Sequence, residues 1–383
     1  MRQAVLGAGL LLVGAILILT GVLPAEDALR VAERVWPILL FVVAITVVTE
    51  LAAEAGLFRV VAEQAARRGL GRAWVLWLFV VVLAVACTIF LSLDTTAVLL
   101  TPVVVLLARH VGISPLPFAL TTVWLANTAS LLLPVSNLTN LLAEHALGGM
   151  SPLEFATLMA APAIVAILVP CVVLFLVYRR QLLERFTPEA ALPPEDRVLF
   201  VASAVVVVAL VPLLVSGLPV WLPAVGGAVV LVVFFVVRRR SVIRFSLLPW
   251  KIVLLASGLF LVMEAAHSLG LGSALNVVAG SGEGLGDLLR LSATGATAAN
   301  LVDNLPAYLA LEPVADSPQR IAALLVGTNA GPLITPWASL ATLLWHERLK
   351  SLGVEISWAR YALLGLLVVP LTIVPAVVAL WLF

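Results

Sequence analysis

The sequence predicts an all-α, polytopic membrane protein built from two inverted-topology repeats, each holding a re-entrant hairpin and a broken helix. Three observations carry this. Of 383 residues, 63% are hydrophobic and 11% charged, against roughly 45–50% apolar and about 25% charged in a soluble domain. Mean hydropathy is +1.17. Apolar runs of membrane length recur along the chain, and polar residues interrupt them at matching places in the two halves. A net charge of +1 gives no basic surface for nucleic acid. Cys87 and Cys171 lie inside apolar runs and read as small buried hydrophobes, with no disulfide framework, metal-ligand spacing or cofactor motif.

A crossing needs about 20 mostly apolar residues. The segments 4–23, 36–53, 155–178, 198–217, 219–237, 250–268 and 358–383 meet that need. The segments 116–147 and 320–348 are long enough but are interrupted by Pro134 and by Pro332 with Pro336, so both read as broken helices. The stretches 72–109 and 284–316 have polar tips, fit poorly as simple spans and read as hairpins that return to their own side. Arg2 ahead of a short apolar run also fits a signal peptide, but a counterpart of that run in the second half favours a membrane helix.

Basic residues set the orientation. With the N-terminus cytoplasmic and nine spans, only Arg30, Arg34, Arg290 and Arg320 fall outside, and the C-terminus is outside. Residues 56–70, with Arg59, Glu63, Arg67 and Arg68 among apolar side chains, suit an interfacial helix. Trp36, Trp74, Trp77, Trp250 and Trp358 read as interface anchors. His110, His145 and His346 fall at span ends and read as solvated.

At a nearly constant offset Trp36 aligns with Trp250, Glu50 with Glu264 and Gly56 with Gly270. At slightly shorter offsets Asp94 aligns with Asp303, Asn127 with Asn329 and Pro134 with Pro336. Residues 1–178 form the first repeat, 179–218 a cytoplasmic connector with a linking span, and 219–383 the second repeat. The first repeat and the linking span give an odd number of crossings, so the second repeat enters from the opposite face. Inverted repeats with helices interrupted at matching positions place a binding site at mid-membrane where the halves meet, as in secondary transporters.

Four polar clusters mark that site. They are Ser92-Leu93-Asp94-Thr95-Thr96; Ser130 through Pro134, Ser136, Asn137, Thr139 and Asn140; Asp303-Asn304-Leu305-Pro306; and Thr328-Asn329 through Thr335, Pro336 and Ser339. A proline removes a helical donor and frees carbonyls of the preceding turn. Open backbone survives at membrane depth only inside protein or against a wet cavity, and short hydroxyl and amide side chains supply donors and acceptors beside it. The substrate and ion ligands expected here are Asp94, Thr95, Thr96, Asn127, Ser136, Asn137, Thr139, Asn140, Asp303, Asn304, Asn329, Thr335 and Ser339. Intramembrane acids are functional candidates by default, and a carboxylate in low dielectric favours its protonated form. Asp94 and Asp303 rank first as carriers of the coupling ion, with Glu50 and Glu264 behind them because they lie near span ends.

The run from Leu93-Asp94-Thr95-Thr96 to Thr101-Pro102 resembles the first hairpin tip of the ion transporter superfamily, which includes arsenite and antimonite efflux permeases, divalent-anion/sodium symporters and sodium/proton antiporters. Asn127-Thr128-Ala129-Ser130 through Asn140 is similar to the arsenite-permease form of the following broken helix. Gly331-Pro332-Leu333-Ile334-Thr335-Pro336-Trp337-Ala338-Ser339-Leu340-Ala341-Thr342-Leu343-Leu344-Trp345 resembles that family's most specific motif. The resemblance implies a homodimer whose transport domain moves against a scaffold, a small inorganic solute and a coupling proton or sodium ion as partners, and no cofactor. In the family's carboxylate symporters the tips read Ser-Asn-Thr; acids at Asp94 and Asp303 disfavour a di-anion, since like charges repel at short range. The expected function is proton-coupled efflux of arsenite or antimonite across the plasma membrane. The rivals are sodium/proton antiport, carboxylate or oxyanion transport, and service as the membrane subunit of a pump driven by a separate soluble ATPase. No phosphate-binding Gly-x-x-x-x-Gly-Lys-[Ser/Thr] loop is present. No nucleophile–base pair is visible either, so an enzyme is the least expected reading.

Overall fold

The computed structural model describes residues 2–69, 71–187 and 193–383. Residues 188–192 of the connector therefore lie outside the described residues, as does the side chain of Arg2. Among the described residues every element is a helix, apart from an isolated bridge between Arg72 and Arg185. Among the same residues, seven helices are long and apolar enough to cross a membrane.

The first half begins with α1 (Arg2–Leu19), α2 (Ala25–Glu54) and the short α3 (Leu57–Arg68), which is the amphipathic helix the charge pattern predicts. Gly56 separates α2 from α3 with φ 81°, a left-handed turn that favours glycine. Then come α4 (Ala73–Phe90), a π-helical turn at Thr95–Leu100, α5 (Thr101–His110), α6 (Leu116–Thr128), α7 (Leu138–Ala146) and α8 (Pro152–Leu182). Ser151 starts α8 with a reciprocal cap: its hydroxyl takes the Glu154 N–H, and the Glu154 carboxylate takes the Ser151 N–H. α9 (Arg197–Val215) and α10 (Trp221–Arg238) lead into the second half. That half holds α11 (Trp250–Ser268), α12 (Leu271–Ala279), α13 (Leu285–Val302), α14 (Asn304–Leu311), α15 (Pro318–Leu325), α16 (Leu340–Ser351) and α17 (Trp358–Leu382).

Packing comes in pairs. α1 lies on α11 and α10 lies on α2; α4 packs on α6 as α13 packs on α15; α8 and α17 pack on each other. The α1–α11 crossing brings backbones into contact, for a Cβ at Gly258 would stand 2.6 Å from Leu11 N and one at Gly7 2.7 Å from Leu255 N. Small residues allow such approach where lipid removes the usual hydrophobic drive between helices.

Ion pairs sort the two ends. Arg238 donates to Asp196 at 2.8 Å, and that bond holds the Asp196 carboxyl below the usual carboxylate range. Arg239 reaches the Glu54 carbonyl at 3.4 Å, and Glu50 lies within electrostatic reach of Arg348. At the other end Arg34 pairs with Glu312, and Arg320 with Asp316 at 3.0 Å.

Four expectations change. α4, read as one arm of a poor span, is itself 18 residues, long and apolar enough to cross. In α1 the apolar helix runs only Ala4–Leu19, shorter than the 4–23 expected. Trp77 is no interface anchor: it is buried, and its indole N–H donates to Thr121 Oγ1 at 2.7 Å. His346 is not solvated: it is buried on α16, its ring 3.9 Å from that of Trp358.

Candidate functional site

Both hairpins turn on one residue with an unusual backbone. Ser92 has φ 153° and Asp303 φ 139°, the two non-glycine positive-φ residues among those described. Such conformations cost of order 1–3 kcal/mol each and persist only where surrounding structure imposes them. Each residue also caps the arm that follows. Ser92 Oγ accepts from Thr95 N at 3.2 Å, and Asp303 Oδ1 from Leu305 N at 3.1 Å. Ser92 and Asp303 thus play the same local part at their turns, and Asp94, the acid that the sequence offsets align with Asp303, stands two residues past the first turn.

The tips nevertheless converge. Asp94, two residues past the first turn, lies within electrostatic reach of Asp303. The arms cross between halves: the π-helical turn after Asp94 packs on α16, and α14 packs on α7.

Both broken helices open where the prolines predict. α6 ends in a 3-10 turn at Ala129–Leu131, and a second 3-10 turn at Pro134–Ser136 precedes α7. In the second half α15 widens into a π-helical turn at Val326–Ala330 before the Gly331–Ser339 break. Each break is tied to its hairpin. Ser136 Oγ donates to the Ile89 carbonyl at 2.8 Å; Thr335 Oγ1 donates to the Asn300 carbonyl at 2.8 Å. Asn300 does more: its Oδ1 takes Thr335 N at 2.9 Å, and its Nδ2 donates to the Gly331 carbonyl at 2.8 Å. Asn300 escaped the sequence reading, although an amide three residues before Asp303 in an otherwise apolar arm was its visible signal.

The halves meet at Asn329. Its Oδ1 accepts from Asn137 Nδ2 at 2.9 Å and from Thr139 Oγ1 at 3.0 Å, and its Nδ2 donates to Asn140 Oδ1 at 2.8 Å. Asn140 Nδ2 in turn satisfies the Ser130 and Leu133 carbonyls at 2.7 and 3.0 Å, which the Pro134 break would leave open. All four side chains are buried. No Lys or Arg hydrogen-bonds to this cluster among the described residues.

The remaining candidates divide. Asn127 Oδ1 and Ser339 Oγ are buried and make no hydrogen bond among the described residues. Asn304 is buried at the start of α14. Thr95 bonds to Ser92 at 3.0 Å, and Thr96 turns into its own hairpin toward Thr88 at 2.8 Å. Glu50 and Glu264 stand toward the ends of α2 and α11, and the charged groups beside Glu50 are Arg348 and Glu54. No three His, Cys, Asp or Glu side chains gather as a metal site among the described residues.

α17 buttresses the second break. A Cβ on Gly365 would run into the Leu333 carbonyl. Gly365→Ala is expected to destabilise the protein by about 1–3 kcal/mol through overpacking, read as a lower unfolding midpoint in detergent. An unchanged midpoint would show that the break yields freely.

The model of the citrate transporter family, CitMHS, matches residues 3–342. The arsenical pump membrane protein of Escherichia coli K12 is 30% identical over 398 residues, spanning 95% of this chain and 89% of that protein. That of Yersinia enterocolitica is 30% identical over 380 residues, spanning 92% and 88%. The putative one of Bacillus subtilis 168 is 25% identical over 389 residues, spanning 88% and 87%. Among solved structures, the YdaH transporter of Alcanivorax borkumensis, described as having an unusual topology, shares the fold with a TM-score of 0.61 at 17% identity, covering 100% of this chain and 98% of that one. A chain whose described residues are helical and hold seven helices fit to cross a membrane, matched over this length, is a multi-pass membrane transporter and belongs to the citrate transporter family.

Proposed function

We propose that the chain exports trivalent arsenic or antimony, as uncharged hydroxylated species, in exchange for protons. One observation carries the reading: two carboxylates, Asp94 and Asp303, lie within electrostatic reach of each other, and the helix that Asp303 caps packs on α7 and on the π-helical turn of Asn329, whose amides and hydroxyls bond to no cation among the described residues. A citrate-like anion would bring charge against charge there. An uncharged polyhydroxy solute meets donors and acceptors instead, at Asn127, Asn137, Thr139, Asn304, Thr335 and Ser339. The relatives' names, arsenical pump membrane proteins, point the same way.

The membrane potential does no work on an uncharged solute, so uphill export requires an exchanged ion. Asp94 and Asp303 carry it in this reading. The two halves act as inverted repeats, 1–178 and 219–383, around the centre at Asn329, in a homodimer of the plasma membrane with the N-terminus inside and the C-terminus outside. A soluble ATPase is a further partner where export is driven by ATP.

The test is arsenite accumulation in everted vesicles energised by a proton gradient. Accumulation that collapses with an uncoupler is expected. No accumulation, with added sodium dissipating the gradient instead, would replace the reading with sodium/proton exchange, which the paired acids also suit.

A further inference from the structure

Three short helices that touch the polar centre end together on one face of the protein. α7 runs from its cap Asn137 to His145 and Ala146; α14 runs from its cap Asp303 to Glu312; α15 starts at Pro318 and leads inward to Asn329. Their outer ends, with Arg34 of α2, line a pocket of about 630 Å³. At 1.5 Å per residue, α7 and α14 separate that pocket from the centre by only about 12–14 Å.

A polar column joins the two. Asn304, Tyr308 and Glu312 repeat every four residues and so share a helical face. Tyr308 is fully buried, and its hydroxyl donates to Glu312 Oε1 at 3.2 Å. Glu312 pairs with Arg34, whose guanidinium also reaches the Leu142 carbonyl of α7 at 3.4 Å. Charge is balanced throughout, for Asp316 is matched by Arg320 at 3.0 Å. At the opposite ends of the corresponding helices, Arg109 of α5 instead bonds to the Leu352 and Gly353 carbonyls beyond α16.

We propose that this pocket is the access vestibule of the transport path on the face carrying Arg34, an outer docking site for an uncharged hydroxylated solute. The Arg34–Glu312 pair forms its floor, and Tyr308 is the step from that floor to the hairpin tip. A charge-balanced wall suits a solute that needs hydrogen bonds and brings no charge. The solute class rests on the export reading; the path does not.

The test separates the two. Asn304→Cys is introduced into protein carrying Cys87→Ala and Cys171→Ala, reconstituted in liposomes, and labelled with a small hydrophilic methanethiosulfonate from each side. Labelling from the Arg34 face is expected, slowed about tenfold or more by Ala146→Trp, which narrows the pocket. His145→Trp does the same should the first variant fold poorly; Leu29→Trp, on the same face outside the pocket, leaves the rate unchanged. No labelling from that face, or a rate indifferent to both pocket variants, overturns the vestibule. Antimonite flux in the chain with Asn304 intact should fall in parallel with Ala146→Trp. Absent flux with pocket-dependent labelling would overturn the export reading and leave the path standing.

Discussion

Asp303→Asn is expected to abolish gradient-driven accumulation of arsenite while leaving downhill exchange in place. With the membrane potential clamped at zero, one pH unit across the membrane supports about tenfold accumulation of an uncharged solute per exchanged proton, the equivalent of about 1.4 kcal/mol. The accumulation ratio should therefore fall from about ten to about one in the variant. Asparagine is the informative replacement. It has the shape of Asp and keeps the oxygen that accepts Leu305 N, so the turn at φ 139° gains no strain that the native residue lacks and only the titrating group is lost. Asp303→Ala would mix loss of the cap with backbone strain. Normal accumulation by Asp303→Asn would remove Asp303 from the coupling path and shift the role to Asp94, whose own Asn variant is the paired measurement.

The hairpins also show what could be read from the sequence and what could not. The two acids were visible because charge in an apolar run is conspicuous, and the two breaks because proline cannot continue a helix. The residues that bend the chain were not visible. Ser92 and Asp303 carry the positive φ at their turns, and a serine in that position carries no sequence mark. Asn300 was missed for a related reason. Its partners, Gly331 and Thr335, lie far along the chain on the other side of the break, and only the folded hairpin brings them within reach. Thr96 stood beside Asp94 in sequence and was read with it, but helical geometry turns its hydroxyl toward Thr88. Trp77 and His346 were judged by nearness to span ends, a one-dimensional quantity; burial is set by α6 against α4 and by α17 against α16. α4 is apolar on every side, so nothing in its sequence separates a packed hairpin arm from a lipid-facing span.

The polar cluster at Asn329 makes the second large effect. Asn329→Leu removes three hydrogen bonds at once and leaves Asn137 Nδ2, Thr139 Oγ1 and Asn140 Oδ1 without their partner. A buried polar group stranded in this way costs about 1–3 kcal/mol, although hydrogen bonds between membrane helices average nearer 0.6 kcal/mol because alternatives are found. The bonds here have few alternatives. Asn140 Nδ2 is already held by the carbonyls of the first break, so its amide cannot turn without opening them. A loss of about 3 kcal/mol is therefore expected for Asn329→Leu, measured as a fall in the unfolding midpoint in detergent. Antimonite should raise the midpoint of the native protein and leave that of the variant where it is, since a ligand stabilises only a state that binds it. The double variant Asn137→Leu with Asn329→Leu should cost less than the sum of its parts, because the two side chains share a bond. A midpoint unmoved by Asn329→Leu would mean that apolar packing alone joins the first broken helix to the second, and that the amides face one another without holding anything in place.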